Sequence, residues 1–279
     1  MSYKSIIDSC GELTEDMEKS GLFENVPLTL SVDGHHIVDD ETFDQLDFLR
    51  RVKMSPNEPK SACPSPARYL SAFEAEVDNI YVVTLSGRLS GSYNSAEVAR
   101  NMYMEDHPHK NIFVFDSCSA SVGETLIGMK IRECEEAGLP FSEVVMETLR
   151  YRDSQQTFFV LESLETLRKN GRLSNFKAFI ATALNIKPVC GSTPEGTIKQ
   201  LDQARGMKKA LEKMMQAIDS SVSDKVNRAV GISHCNNESR GLEVKRALEK
   251  KLGFKNVFLL NAHGVTSTYA NQGGIVIAV

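Results

Sequence analysis

Hydroxyls and glycines gather in one stretch of the chain, Leu85-Ser86-Gly87-Arg88-Leu89-Ser90-Gly91-Ser92-Tyr93-Asn94-Ser95-Ala96. The apolar run before it, Asn79 to Thr84, reads as a buried strand. Ser95 to Met104 reads as a helix with Ala96, Val98, Ala99 and Met102 inward. A strand that ends in a Gly/Ser loop, with a helix starting there, offers free N–H groups and hydroxyls to whatever sits above it. That arrangement suits an anion. It equally suits a helix start capped by its own hydroxyls, with no ligand. Three familiar loops are excluded by spacing. No Gly-Lys-Ser/Thr follows the glycines, as a P-loop requires. Gly87 and Gly91 do not give G-x-G-x-x-G, and Ser90 lies in G-x-x-S-G rather than G-x-S-x-G. A phosphate and a carboxylate both remain open.

Other residues able to do chemistry are scattered. Ser61 precedes Pro64 and has the ordinary role of a loop cap. Arg172 follows the helix stop Asn170-Gly171, where a solvated arginine is favoured by the helix dipole, and Arg205 is read the same way. Asp8-Ser9 and Asp116-Ser117 sit at strand ends and read as loop caps. His35-His36 and His107-Pro108-His109 read as loop residues, and His234 as a polar strand end. The six cysteines (10, 63, 118, 134, 190 and 235) contain no C-x-x-C, so neither a zinc site nor a disulfide framework is expected. No metal or other cofactor is expected.

The elements that must position these residues follow from periodicity. Strands are expected at Lys4–Asp8, 26–32, 79–84 and 111–116, with a hairpin return at 35–38 through Asp33-Gly34. Helices are expected at 13–20, 42–52, 65–75, 123–137 and 141–150. Strand and helix alternate, which argues a mostly parallel sheet covered on both faces. The pattern breaks in the polar run Tyr151 to Gln156, which sets an expected boundary between domains of residues 1–154 and 155–279. Beyond it, strands are expected at 157–161, 186–190, 229–233, 256–260 and 274–279. Helices are expected there at 164–169, 176–184, 208–218 and 242–252. The expected fold is therefore α/β, in two α/β domains.

Bulk properties narrow the function. A net charge of −5 gives no broad basic surface for nucleic acid. No apolar run reaches the roughly 18 residues of a membrane span. The start, Met1 to Asp8, is too short and polar for a signal peptide, so a cytoplasmic protein is expected.

Six stretches, in the same order along the chain, carry a resemblance. Leu89-Ser90-Gly91-Ser92-Tyr93 is similar to the LSGTY signature of the bacterial DegV family. Asp8-Ser9 is similar to its opening DS, and Ser61-Ala62-Cys63-Pro64-Ser65-Pro66 to its T-S-Q-P-S-P. Leu164 to Ser174, ending Asn170-Gly171-Arg172-Leu173-Ser174, is similar to its L-x-x-L-x-x-G-G-R-[IL]-S. Ile186-Lys187-Pro188 and Arg205-Gly206-Met207-Lys208-Lys209-Ala210 are similar to its K-P and R-x-x-K-K-A. The match spans essentially the whole chain and implies a DegV-like fold.

The resemblance implies a long-chain fatty acid, such as palmitate or oleate, as ligand. Its carboxylate would be held by the hydroxyls of Ser61 and Ser90, with the N–H groups of Gly91 and Ser92 adding to them. Further polar contacts are expected from among Arg172, His263, Tyr269 and Asn271. Family members carry a His in H-x-G-P-G near the C-terminus. This chain has Asn261-Ala262-His263-Gly264 and then Thr268-Tyr269-Ala270-Asn271-Gln272-Gly273-Gly274, so His263, Tyr269 and Asn271 compete for that position. Ala62 and Cys63 stand where the family has Ser and Gln. Phe158, Phe159, Val160, Leu161, Phe176, Phe179, Ile180 and Leu184 would house the acyl chain. The implied partner is a dihydroxyacetone-kinase-like fatty acid kinase that phosphorylates the carboxylate for phospholipid synthesis, this chain being a carrier without chemistry of its own. Two alternatives stand beside it. One is a serine hydrolase using Ser90, or Ser61, with His263 as base. The other is a sensor of a phosphate ligand.

Overall fold

The computed structural model describes residues 3–173 and 185–279. Ser174 and the apolar stretch at 176–184 lie outside the described residues. The first half runs β1 (Tyr3–Asp8), α1 (Glu15–Ser20), β2 (Phe23–Val26), β3 (Thr29–Val32), β4 (His35–Val38), α2 (Gln45–Met54), β5 (Lys60–Ala62), α3 (Pro66–Phe73), β6 (Asn79–Thr84), α4 (Ser92–Asp106), β7 (Asn111–Asp116), α5 (Val122–Glu136) and α6 (Phe141–Ser154). The second runs β8 (Thr157–Val160), α7 (Glu165–Lys169), β9 (Ile186–Ser192), β10 (Ile198–Arg205), α8 (Met207–Ser221), β11 (Ala229–His234), α9 (Glu238–Ala247), β12 (Asn256–Asn261), α10 (Gly264–Ala270) and β13 (Ile275–Ala278). α9 continues into one wide turn, Leu248–Leu252. None of these helices is long and apolar enough to cross a membrane.

Three sheets result. The first is parallel throughout, in the order β2-β1-β6-β7, as the strand–helix alternation predicts. Every residue of β6 is buried, which is why Asn79 to Thr84 reads as an unbroken apolar run. The second has six strands in the order β10-β9-β8-β13-β11-β12, antiparallel except for the β11–β12 pair. The third is a small antiparallel sheet, β4-β3-β5, built on the Asp33-Gly34 hairpin. The expected single strand 26–32 is thus two strands in two different sheets. Pro27 stands at the break, where it has no N–H to give either ladder.

Helix α5 lies between the two large sheets and joins them. Val122 and Leu126 pack with Phe159, Val276 and Ala278 of the second sheet. Ile127, Ile131 and Cys134 pack with Ile7, Tyr81 and Phe115 of the first. A helix apolar on two faces is one buried on two faces. Its approach to β1 is close: a Cβ on Gly128 would lie 2.7 Å from Ile7 Cδ1. In α4 the expected inward face is half right. Ala96 and Ala99 are fully buried, whereas Val98 and Met102 are 40% and 51% exposed.

Candidate functional site

Two aspartates shape the Gly/Ser loop between β6 and α4. Asp8, at the end of β1, is fully buried and holds both ends of the loop. Its Oδ2 accepts the N–H of Leu85 at 2.9 Å and the hydroxyl of Ser92, while Oδ1 accepts the N–H of Cys10. Asp116 Oδ1 accepts the N–H of Gly87 at 3.1 Å and of Cys118 at 2.9 Å. Both strand-end acids act as loop caps. Ser92 Oγ is also bonded to Tyr69 Oη, at 2.6 Å. Its side chain therefore belongs to a buried Tyr69–Ser92–Asp8 chain and is turned away from the loop's open face. The Ser92 N–H goes to Ser90 Oγ, at 3.2 Å. That bond occupies one lone pair of Ser90 and leaves its O–H proton to donate elsewhere.

Above the loop lies a cavity of about 330 Å³. Ser61, Ser90, Gly91, Arg172 and Tyr269 line it together with apolar side chains such as Leu89, Phe159, Leu161, Leu167, Ile198 and Val276. Ser61 comes from β5 and Tyr269 from α10, and their hydroxyl oxygens are 2.8 Å apart. The Arg172 guanidinium stands over the Tyr269 ring, 5.9 Å from its centre. Its Nε donates to the carbonyl of Leu89 at 3.1 Å, and Nη1 donates to that of Asn170. One arginine thus ties the Gly/Ser loop to the turn after α7 and to α10. The result is a mostly apolar chamber in whose wall the hydroxyls of Ser61, Ser90 and Tyr269 stand with the Arg172 guanidinium and Gly91.

Four other hydroxyls in the wall are turned into the protein. Ser119 and Thr157 bond each other at 2.6 Å, Ser121 donates to Glu12 at 2.8 Å, and Thr266 donates to the Cys10 carbonyl at 3.3 Å. The β9–β10 turn closes over the loop, where Ser86 Oγ donates to the Gly196 carbonyl at 2.8 Å. Gly196 has φ +79°, and a Cβ there would lie 2.3 Å from Ser86 Oγ and 2.8 Å from Cys118 Cα.

The remaining sequence candidates lie elsewhere. His263, just before α10, does not line the cavity. Its Nδ1 bonds the buried Asp39 carboxylate and its ring packs 5.2 Å from that of Phe43. Burial works to lower the imidazole pKa, but bonding and charge from Asp39, with Glu12 and Asp40 adding to it, leave it above its ordinary value. Asn271 faces Thr166, to whose Oγ1 its Nδ2 donates at 3.4 Å. Arg205 is exposed at the end of β10. His234 accepts the Asn237 N–H at its strand end, and burial lowers its pKa.

The structure also assembles acids that sequence reasoning did not single out. Glu12 and Glu124 are buried beside Asp8 where α5 meets β1. Glu12 takes hydroxyls from Ser121 and Ser233. Both oxygens of Glu124 lack a hydrogen-bond partner of good geometry among the described residues. Burial, followed by the charge of Asp8, raises the Glu124 carboxyl well above its ordinary value and so favours its neutral form. An acid inside an apolar helix looks in sequence like any outward-facing Glu, and it is the packing of α5 onto the end of β1, where a Cβ on Gly11 would lie 2.8 Å from Glu124 Cβ, that buries it.

A profile of the DegV family, whose members are described as uncharacterised proteins, matches residues 2–279. The chain belongs to the DegV family. A DegV domain-containing protein of Streptococcus gordonii is 35% identical over 279 residues, covering 99% of this chain and 98% of that one. A crystal structure of a DegV family protein from Ruminococcus gnavus, refined with vaccenic acid, is 48% identical, with a TM-score of 0.97 over 100% of both chains. The Streptococcus pneumoniae Fatty Acid Kinase (Fak) B3 protein, loaded with linoleic acid, is 33% identical, with a TM-score of 0.90 over 100% of this DegV chain and 99% of its own.

Proposed function

We propose that this DegV protein binds one long-chain fatty acid and presents its carboxylate to a partner kinase in the cytoplasm. The carrying observation is an apolar chamber whose free hydroxyl donors and guanidinium share one wall, in a chain 48% identical to a relative crystallised with vaccenic acid. The Ser90 proton and the Ser61–Tyr269 pair would bond the carboxylate oxygens, with the Gly91 N–H beside them and Arg172 balancing the charge. Of the three positions competing for the family histidine, Tyr269 is the one on Ser61, so the carboxylate would meet a neutral phenol there. The division of labour follows the expected boundary: residues 1–154 supply the carboxylate-binding loops and residues 155–279 most of the acyl wall, with Arg172 and Tyr269 reaching back. The Fak B3 relative supports a fatty acid kinase as partner.

Two observations favour this reading over its alternatives. A hydrolase needs a base at Ser90, and His263, the imidazole named for that role, does not line the cavity that Ser90 lines. A phosphate sensor has no use for the apolar wall. Affinity would come from the chain, at about 0.8 kcal/mol per buried methylene, offset by the cost of ordering it. The test is organic extraction of denatured protein made in bacteria, followed by mass spectrometry. About one long-chain acid per chain is expected. A clean extract, with no uptake of added palmitate or oleate, would refute the reading.

A further inference from the structure

The Ser61–Tyr269 pair is assembled from elements about two hundred residues apart, and one buried side chain links them. Asp39 follows β4 and is fully buried. Its carboxylate accepts four hydrogen bonds. Oδ1 takes the N–H of Gly264 at 2.7 Å and the His263 ring. Oδ2 takes the N–H of Val265 at 2.9 Å and Ser9 Oγ at 2.9 Å. Three of the four donors are consecutive, so the carboxylate fixes both the position and the direction of the start of α10. The fit is tight: a Cβ on Gly264 would lie 2.3 Å from Asp39 Oδ1 and 2.7 Å from Leu30 Cδ1. A helix of seven residues does not hold itself in water, so its aim is set by what grips it. Tyr269 follows four residues after Val265 and delivers its hydroxyl to Ser61. Ser61 belongs to β5, which pairs with β3 on the side opposite β4, the strand that leads into Asp39. One small sheet therefore carries both the fixed point of α10 and the residue its tyrosine must reach.

We propose that Asp39 is a positioning residue for the polar wall of the cavity, holding Tyr269 Oη on Ser61 through α10. The effect on a ligand rests on the fatty acid reading above; the effect on the Ser61–Tyr269 contact does not. Gln45 grips the same segment from α2, its Nε2 donating to the Ala262 carbonyl at 2.7 Å and to Ser267 Oγ at 2.9 Å. Altering Asp39 therefore displaces α10 rather than releasing it.

The test is a double-mutant cycle of Asp39→Asn and Tyr269→Phe, read by titration with the fluorescent fatty acid cis-parinaric acid. Asp39→Asn keeps the volume but turns an NH2 toward donors that need an acceptor. Each single variant is expected to weaken binding about 5-fold, and Tyr269→Phe to cost less than about 2-fold once Asp39 is Asn. Losses that multiply would overturn the proposal, because a merely structural Asp39 would act independently of the phenol. Should the native protein give a clean organic extract and also take up no parinaric acid, the fatty acid reading fails by itself. Crystal structures of the native protein and Asp39→Asn then decide the positioning claim. A broken Ser61–Tyr269 contact in the variant supports it, and an intact one overturns it. If Asp39→Asn does not fold, His263→Ala, which removes one of the four donors, takes its place in the cycle with the same criteria.

Discussion

Replacing Ser90 by alanine separates ligand binding from loop architecture. Among the described residues Ser90 Oγ has one bond, accepted from the Ser92 N–H at 3.2 Å, which leaves its proton to donate at the cavity. A hydrogen bond to an ionised carboxylate contributes about 1.5–3 kcal/mol. Ser90→Ala should therefore raise the Kd for cis-parinaric acid by about 10- to 150-fold. The stability loss should be small. The Ser92 N–H loses a partner at a half-exposed loop where water can replace it, which costs about 0.5–1 kcal/mol. Ser92→Ala should behave in the opposite way. That hydroxyl faces Asp8 and Tyr69 in the interior, so its loss strips a buried carboxylate of a donor, at about 1–3 kcal/mol. Fluorescence titration and urea denaturation of both variants give the four numbers. An unchanged Kd for Ser90→Ala in a folded protein would refute the placement of the carboxylate. A Ser92→Ala variant that loses affinity but no stability would refute the inward assignment of Ser92.

Two further expectations concern the structure behind the site. Burial favours the protonated form of Glu124 in the fold, whereas the unfolded chain loses that proton above about pH 4.5. Its raised carboxyl therefore contributes stability that falls as pH rises from there through its folded pKa, by about 1.4 kcal/mol per pH unit. Glu124→Gln has no proton to lose, so in urea denaturation its stability relative to native should improve from pH 6 to pH 8; parallel profiles would show that Glu124 is ionised in the fold. Gly196→Ala puts a methyl against Ser86 Oγ and Cys118 Cα at a left-handed φ. It should cost at least about 1–2 kcal/mol in the same assay, and a neutral result would mean that the β9–β10 turn does not close on the loop in solution.

Local pattern alone was enough for the strands flanking the Gly/Ser loop. Asn79–Thr84 was legible to the residue because it is an internal parallel strand buried throughout, and Asn111–Asp116, at the edge of the same sheet, because helices cover both its faces and keep its middle apolar. The loop, the Asp33-Gly34 hairpin and the α1 stop at Gly21 were legible because positive φ and short-range caps are written in residue type. The six short motifs likewise point to the family without reference to the fold.

Other features depended on contacts between distant residues. β10 was missed because Ile198–Arg205 is a mostly polar edge strand, and nothing in such a strand announces a partner. α10 was missed because Gly, Val, Thr, Ser and Tyr are poor helix formers; Asp39 and Gln45, far away in sequence, hold it helical. In α4, the two small alanines rather than the larger Val98 and Met102 face inward, because α3 packs closely there. Where His263, Tyr269 and Asn271 lie depends on such contacts too. The start of α10 is pinned by a buried carboxylate, which commits His263 to Asp39 and sends Tyr269 to Ser61, while the helix ends before Asn271. Composition and spacing supplied the chemical groups of this site. Which of them meet was set by the packing of α10 between a small hairpin sheet and the second large sheet, a relation between residues more than two hundred positions apart that no local pattern encodes.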